Sequence, residues 1–319
     1  MAHMVLGVIA EIVLALVGFF VAAELTARGV ESLEPAVGQG MAGGVILGLL
    51  GALPETVFVV IATLSSSYQV AIGSALGGNI ILFTLGIGLV GITHMIKWKK
   101  PIIMKEDYKI ELYFLLASTI LLVALMLYGS LDRISGGALF LLYVIYVAYR
   151  YAIARSKMDG HFSRSKRRKL ITEGGAYLAA GMVIVLVLSG TFVSAITEVS
   201  SRIGISPLWF ALVISPLAAD INENISANRI TMRKAGGGST AIVSFVGGKL
   251  QNNTVLLGLI GLLSASSVVI GGAMFDFGAV VVINLLAIAV ILRGRLDYRE
   301  SILLVIAYVV VIAAAFVLG

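Results

Sequence analysis

Ten stretches of this chain are apolar for long enough to cross a bilayer. They cover roughly residues 4–28, 40–65, 69–95, 111–129, 134–152, 173–200, 206–231, 239–264, 267–292 and 300–318. A spanning helix needs about 20 such residues. Inside lipid every backbone polar group must be paired within the protein, which leaves only helices and closed barrels. The runs are continuously apolar rather than alternating, and that argues for helices over barrel strands. The expected fold class is all-α: a polytopic membrane protein with ten transmembrane helices. Composition agrees, with 59% of the 319 residues hydrophobic, 13% charged and a mean hydropathy of +1.05. The chain has no cysteine, so disulfides and thiolate metal sites are excluded. The first run begins almost at Met1 and carries Glu11 and Glu24, unlike a cleavable signal peptide. No Gly-rich phosphate loop and no nucleophilic triad is evident, so neither an enzyme nor an organic cofactor is expected.

The basic residues orient the spans. Twenty of the 23 Lys and Arg fall in alternate loops: around Arg28, Lys97 to Lys109, Arg150 to Lys169, Arg229 to Lys234, and Arg293 to Arg299. Such loops face the cytoplasm. Both termini then lie outside, and the protein belongs in the cell membrane. A net charge of +6 would suggest nucleic acid in a soluble protein. Here it reads as a topology signal, and no nucleic-acid partner is expected. The basic segment 154–172 separates residues 1–153 from 173–319, five spans on each side. It either binds anionic lipid or a regulator, or serves topology alone. Five is odd, so two related halves must be inserted upside down, as an inverted repeat.

The halves share more than their length. Gly48-Leu49-Leu50-Gly51-Ala52-Leu53-Pro54-Glu55 interrupts the second span with two glycines and a proline, then a carboxylate. Ser215-Pro216-Leu217-Ala218-Ala219-Asp220-Ile221-Asn222-Glu223 does the same in the seventh. Downstream, Ala71 to Asn79 aligns with Ala241 to Lys249, with five of nine positions identical. A carboxylate at membrane depth costs roughly 2.5–3.5 kcal/mol on insertion scales. A helix break frees carbonyls that lipid cannot satisfy. A cation held between them removes both costs. The other reading is a proline kink beside a glutamate paired with a neighbouring helix. Interrupted spans at matching places in two halves point to a transporter site.

These motifs resemble those of the calcium/cation antiporter superfamily, which includes sodium/calcium and proton/calcium exchangers. Gly51 to Glu55 with Gly73 to Asn79, and Pro216 to Glu223 with its downstream partner, are similar to that family's two alpha repeats. Phe20 to Leu25 is similar to its first helix. The resemblance implies four broken helices around a midplane site, with spans 1 and 6 sliding across it. It also implies that Glu55 and Glu223 are the central carboxylates.

The chemistry of the residues agrees. Ca²⁺ takes six to eight hard oxygens, and two facing glutamates offer up to four and neutralise the charge. Carbonyls of Gly48, Leu49, Leu50, Ser215 and Pro216 lie at half-helix ends that suit a cation. Asp220 is either a ligand sharing a face with Glu223 or a half-helix cap. Asn79, Ser74 and Ser244 are candidate neutral ligands, the serines alternatively helix-packing hydroxyls. Sodium-coupled members usually carry a serine and then an asparagine or aspartate where this chain has Gly78 and Leu82. Lys249 stands where the repeat predicts a partner for Asn79. It lies either near the site, repelling Na⁺, or in a vestibule or a pair with Asp276. Proton coupling is therefore expected, with Na⁺/Ca²⁺ exchange as the alternative and a channel-like or structural protein as the rival class. The transported partners are Ca²⁺ with H⁺ or Na⁺, the solvent is the lipid bilayer, and the oligomeric state is not legible. His94 and His161, at or beyond span ends, are expected to be solvated.

Overall fold

The computed structural model describes residues 2–37, 53–104, 109–155, 164–233 and 235–318. In order, these form α1 (Ala2–Val37), α2 (Leu53–Leu64), α3 (Tyr68–Ile81), α4 (Ile87–Trp98), β1 (Ile102–Ile103), α5 (Lys109–Tyr128), β2 (Ser130–Leu131) and α6 (Arg133–Arg155). Then follow α7 (Arg164–Ile203), α8 (Pro207–Ala219), α9 (Ile221–Arg233), α10 (Gly237–Gln251), α11 (Leu257–Leu263), β3 (Val268–Val269), α12 (Met274–Leu292), β4 (Arg295–Leu296) and α13 (Tyr298–Leu318). Two five-residue π-helical segments, Leu82–Gly86 and Asn252–Leu256, join α3 to α4 and α10 to α11 without a break. They begin three residues beyond Asn79 and Lys249 respectively, the same offset in both halves. Such π segments often sit at functional sites.

Among the described residues, seven helices are long and apolar enough to cross a membrane: Gly7–Gly29, Tyr68–Trp98, Lys109–Tyr128, Arg133–Ala152, Arg168–Ile203, Gly271–Leu292 and Tyr298–Leu318. The other three expected runs differ for physical reasons. Of 40–65, only residues 53–65 are described, nearly all of them the 12-residue α2. The run 206–231 is broken at Asp220, and α9 beyond it is polar. The run 239–264 is one helix through α10 and α11, but Lys249, Gln251, Asn252 and Asn253 interrupt its apolarity. The basic stretch from Arg164 to Lys169 forms the first turns of α7.

Local chemistry sets the ends. Gly129 and Gly204 take positive φ after α5 and α7, a conformation that costs glycine nothing. Asp132 caps α6, accepting the N–H groups of Ser135 at 2.9 Å and Ile134 at 3.0 Å. Those bonds, and one from the Tyr128 hydroxyl, hold its carboxyl below the ordinary value. Pro207 opens α8, where its missing N–H costs nothing.

Two antiparallel strand pairs mark the ends of the bundle. β1 pairs with β4, and β2 with β3. Helix α5 runs from the β1–β4 end to the β2–β3 end, and α12 returns. Trp98 Nε1 donates to the Thr231 carbonyl, which brings the end of α9 to the β1–β4 end as well. His94 is buried there, contrary to expectation, with its ring nitrogens 2.9 Å from the carbonyls of Lys100 and Ala235. His161 lies outside the described residues. Three basic stretches, at 97–100, 229–233 and 293–299, therefore share one end. At the other, Trp209 donates to the Ile312 carbonyl and stacks edgewise on Phe316. The consequence is directional: α3–α4 runs towards the β1–β4 end, and α10–α11 runs away from it.

Small residues bring the helices together. Gly73 and Gly77 on α3, four residues apart, lie against the α8 backbone at Leu208 and Leu212. Close approach through small residues is how helices associate in lipid, where apolar side chains gain nothing by leaving it. α1 and α7 pack antiparallel, as Gly18 meets Leu188, Gly181 meets Ala22 and Thr26, and Gly29 meets Gly174 and Leu178. Phe19 of α1, Phe58 of α2 and Phe192 of α7 stack within 5.0–5.9 Å, joining that pair to the helix that carries Glu55.

Candidate cation site

The carboxylates sit where helices begin or break. Leu53, Pro54 and Glu55 form the first turn of α2. Asp220 caps the end of α8, its N–H donating to the Pro216 carbonyl at 2.8 Å, and Glu223 lies in the first turn of α9. Gly48, Leu49 and Leu50, expected to supply carbonyls, lie outside the described residues.

Tertiary packing brings these points to α10. Lys249 is 2% exposed, and its Nζ lies 2.7 Å from Asp220 Oδ1, itself on a residue 3% exposed. Lys249 is thus paired with Asp220 and not with Asp276. Asn252, one turn on, donates to Glu55 Oε1 at 3.1 Å. Glu223 is half-buried and faces α10: a β-carbon added at Gly248 would stand 3.3 Å from its Oε1. Gly78 makes room for the whole cluster. A β-carbon there would lie 2.9 Å from Lys249 Nζ and 3.0 Å from Asp220 Oδ2, and closer still to Asn252. Glu55, Asp220, Glu223 and Lys249 lie within electrostatic reach of one another. Asp220 is turned to Lys249, and among the described residues no three acidic or histidine side chains are gathered to hold one metal ion.

The neutral candidates separate. Asn79 is fully buried and donates to Asn253 Oδ1, which binds it to the π segment and not to a carboxylate. Ser74 is buried on α3, one turn before Gly78. Ser244 is exposed on α10, one turn before Gly248. Ser215 is buried, its hydroxyl without a hydrogen-bond partner among the described residues. Asp276 is buried at the start of α12, both oxygens likewise unpartnered among the described residues, and Glu11 is exposed.

Four buried polar residues were not singled out from sequence: Gln251, Asn252, Asn253 and Asn284. Asn253 also donates to Ser118 at 3.2 Å, Asn284 to Thr119 at 3.2 Å, and Gln251 to Thr56 at 3.3 Å. Their signal was present. Gln251-Asn252-Asn253-Thr254 is a run of four polar residues inside an apolar span, and polar groups at that depth must find partners.

Comparison with known proteins agrees with this architecture. The family described as sodium/calcium exchanger protein matches residues 7–152 and 174–317, nearly the whole chain, and the chain belongs to that family. It is therefore an integral membrane protein of an exchanger family rather than an enzyme. It is 24% identical over 235 residues to the inner membrane protein YrbG of Escherichia coli (strain K12), covering 71% of this chain and 70% of that protein. Its fold matches the crystal structure of the H⁺/Ca²⁺ exchanger CAX with a TM-score of 0.80 at 18% identity, over 98% of this chain and 86% of that one. The sodium-calcium exchanger NCX_Mj matches with a TM-score of 0.67 at 18% identity, over 97% and 99% of the two chains.

Proposed function

We propose that this protein is a secondary active antiporter that exchanges Ca²⁺ for H⁺ by alternating access. Its site is a midplane pair, Glu55 and Glu223, carried by two inverted five-helix repeats. The observation that carries the reading is convergence. Carboxylates from the beginnings of α2 and α9 meet where α10 runs into its π segment, at Gly248 and Asn252, in the interior of a bundle whose seven long helices are apolar. Two glutamates neutralise one divalent ion, and their oxygens are the hard donors that calcium takes. The same groups can each take a proton when the ion leaves, so no further ligand is needed for exchange. The opposite directions of α3–α4 and α10–α11, with π segments at matched offsets, support the inverted repeat.

Sodium coupling fits less well. The places where a sodium-coupled relative carries oxygen ligands are Gly78 and the buried Leu82, and the Lys249 ammonium lies beside Gly78, against Asp220. The test is calcium uptake into proteoliposomes, driven first by a pH gradient and then by a Na⁺ gradient. Uptake with the pH gradient alone is expected. Robust uptake with the Na⁺ gradient at fixed pH would transfer the assignment to Na⁺/Ca²⁺ exchange.

A further inference from the structure

We propose that the Lys249 ammonium is a tethered cation: it occupies, against Asp220 and beside Gly78, a cation subsite that a free monovalent ion would otherwise fill. The proposal deepens the two-glutamate reading and rests on it for the identity of the neighbouring cargo.

Four observations carry it. Lys249 is 2% exposed with its Nζ 2.7 Å from Asp220, so its head group has not moved out to water along its flexible stem. The subsite is built by both halves of the chain, because Gly78 of α3 leaves the space that the ammonium and the Asp220 carboxylate share. Asp220 Oδ2 is buried and has no hydrogen-bond partner among the described residues, so the carboxylate has an oxygen free for a further donor or cation. The charges balance only with the lysine. Glu55 and Glu223 match one calcium ion, which leaves Asp220 as a third negative charge at membrane depth. Removing one partner of a buried pair leaves the other uncompensated, a costly state that an ion from solution can relieve.

The consequence is specificity. With Lys249 in place, sodium has no subsite to enter and the protein holds one cation besides its own. Without it, Asp220 recruits sodium. Purified protein in detergent tests this through its melting temperature, measured in NaCl and in choline chloride at equal ionic strength. The wild type should melt at the same temperature in both salts. Lys249→Met and Lys249→Asn should each melt lower in choline chloride and recover with rising NaCl. Asp220→Asn combined with Lys249→Met, which removes both charges, should lose that sodium dependence. Equal melting of the single variants in the two salts overturns the proposal. So does loss of both single variants at every NaCl concentration while the double variant accumulates, because sodium then does not replace the ammonium. The readout needs no calcium movement, so failure of the wild type to transport calcium would remove the two-glutamate reading and leave this question to the melting temperatures.

Discussion

Glu55 and Glu223 differ in setting although they occupy matched positions. Glu55 is 7% exposed and accepts a hydrogen bond from Asn252, whereas Glu223 is half-buried beside Gly248. Glutamine keeps the volume of each side chain and removes its charge. Glu55→Gln and Glu223→Gln are therefore expected to insert and fold normally, with calcium transport reduced to background. Undiminished flux in either would remove that residue from the site. Gly78 sets a different kind of constraint. A methyl group there would crowd Lys249, Asp220 and Asn252 together, and overpacking of this sort costs roughly 1–3 kcal/mol. Gly78→Ala should lower both thermal stability and calcium affinity. A variant with unchanged calcium affinity would mean the cluster can spread without consequence.

Helices in this bundle meet through glycine, and the interfaces differ in how much they tolerate. A β-carbon at Gly77 would stand 2.6 Å from Pro216 Cγ and still nearer the Leu212 carbonyl, backbone that cannot move aside. One at Gly175 of α7 would meet nothing within 4 Å. Gly77→Ala is expected to destabilise by about 1–3 kcal/mol, as insertion into packed interiors does. Gly175→Ala should be neutral or slightly stabilising, since alanine is the better helix former. Melting temperatures of the two variants in one detergent decide it, and equal values would mean that α3 and α8 are not held in this contact. Because Gly77 lies one residue from Gly78, the same interface that fixes α3 against α8 also fixes where Gly78 stands beside Lys249, Asp220 and Asn252. A second buried ion pair, Arg150 with Glu111, joins α6 to α5 near Tyr146 and ties the outer helices in the same way.

On the scale of the whole protein, three basic stretches gather at the β1–β4 end, while β2, β3 and Asp132 lie at the other. Positive loops face the cytoplasm, so Ser130 should face outside and Ser165, at the start of α7, inside. The chain has no cysteine, which makes single-cysteine variants unambiguous. Cysteines at Ser130 and Ser165 are expected to react with an impermeant thiol reagent from opposite sides of sealed vesicles. Labelling of both from one side would be incompatible with two inverted five-helix halves.

Sequence alone determined that the chain is helical and lies in a membrane, because lipid admits few backbone solutions and hydropathy reports directly on burial in it. The duplicated break and carboxylate marked Glu55 and Glu223 for the same reason: an ionisable group at that depth must have a use or a partner. It did not reveal which partner. Lys249 was compatible with Asp276 or with the site, and only the packing of α8 and α9 against α10 set its ammonium on Asp220. Asn252 escaped notice because its role depends on a contact 197 residues away along the chain. Asn79, by contrast, was legible as a buried polar residue, but its donation to another asparagine, Asn253, was not. Periodicity and composition describe what each residue requires of its surroundings; which neighbour meets the requirement is decided by tertiary packing, where the energy of a buried charge depends on distances of a few ångströms.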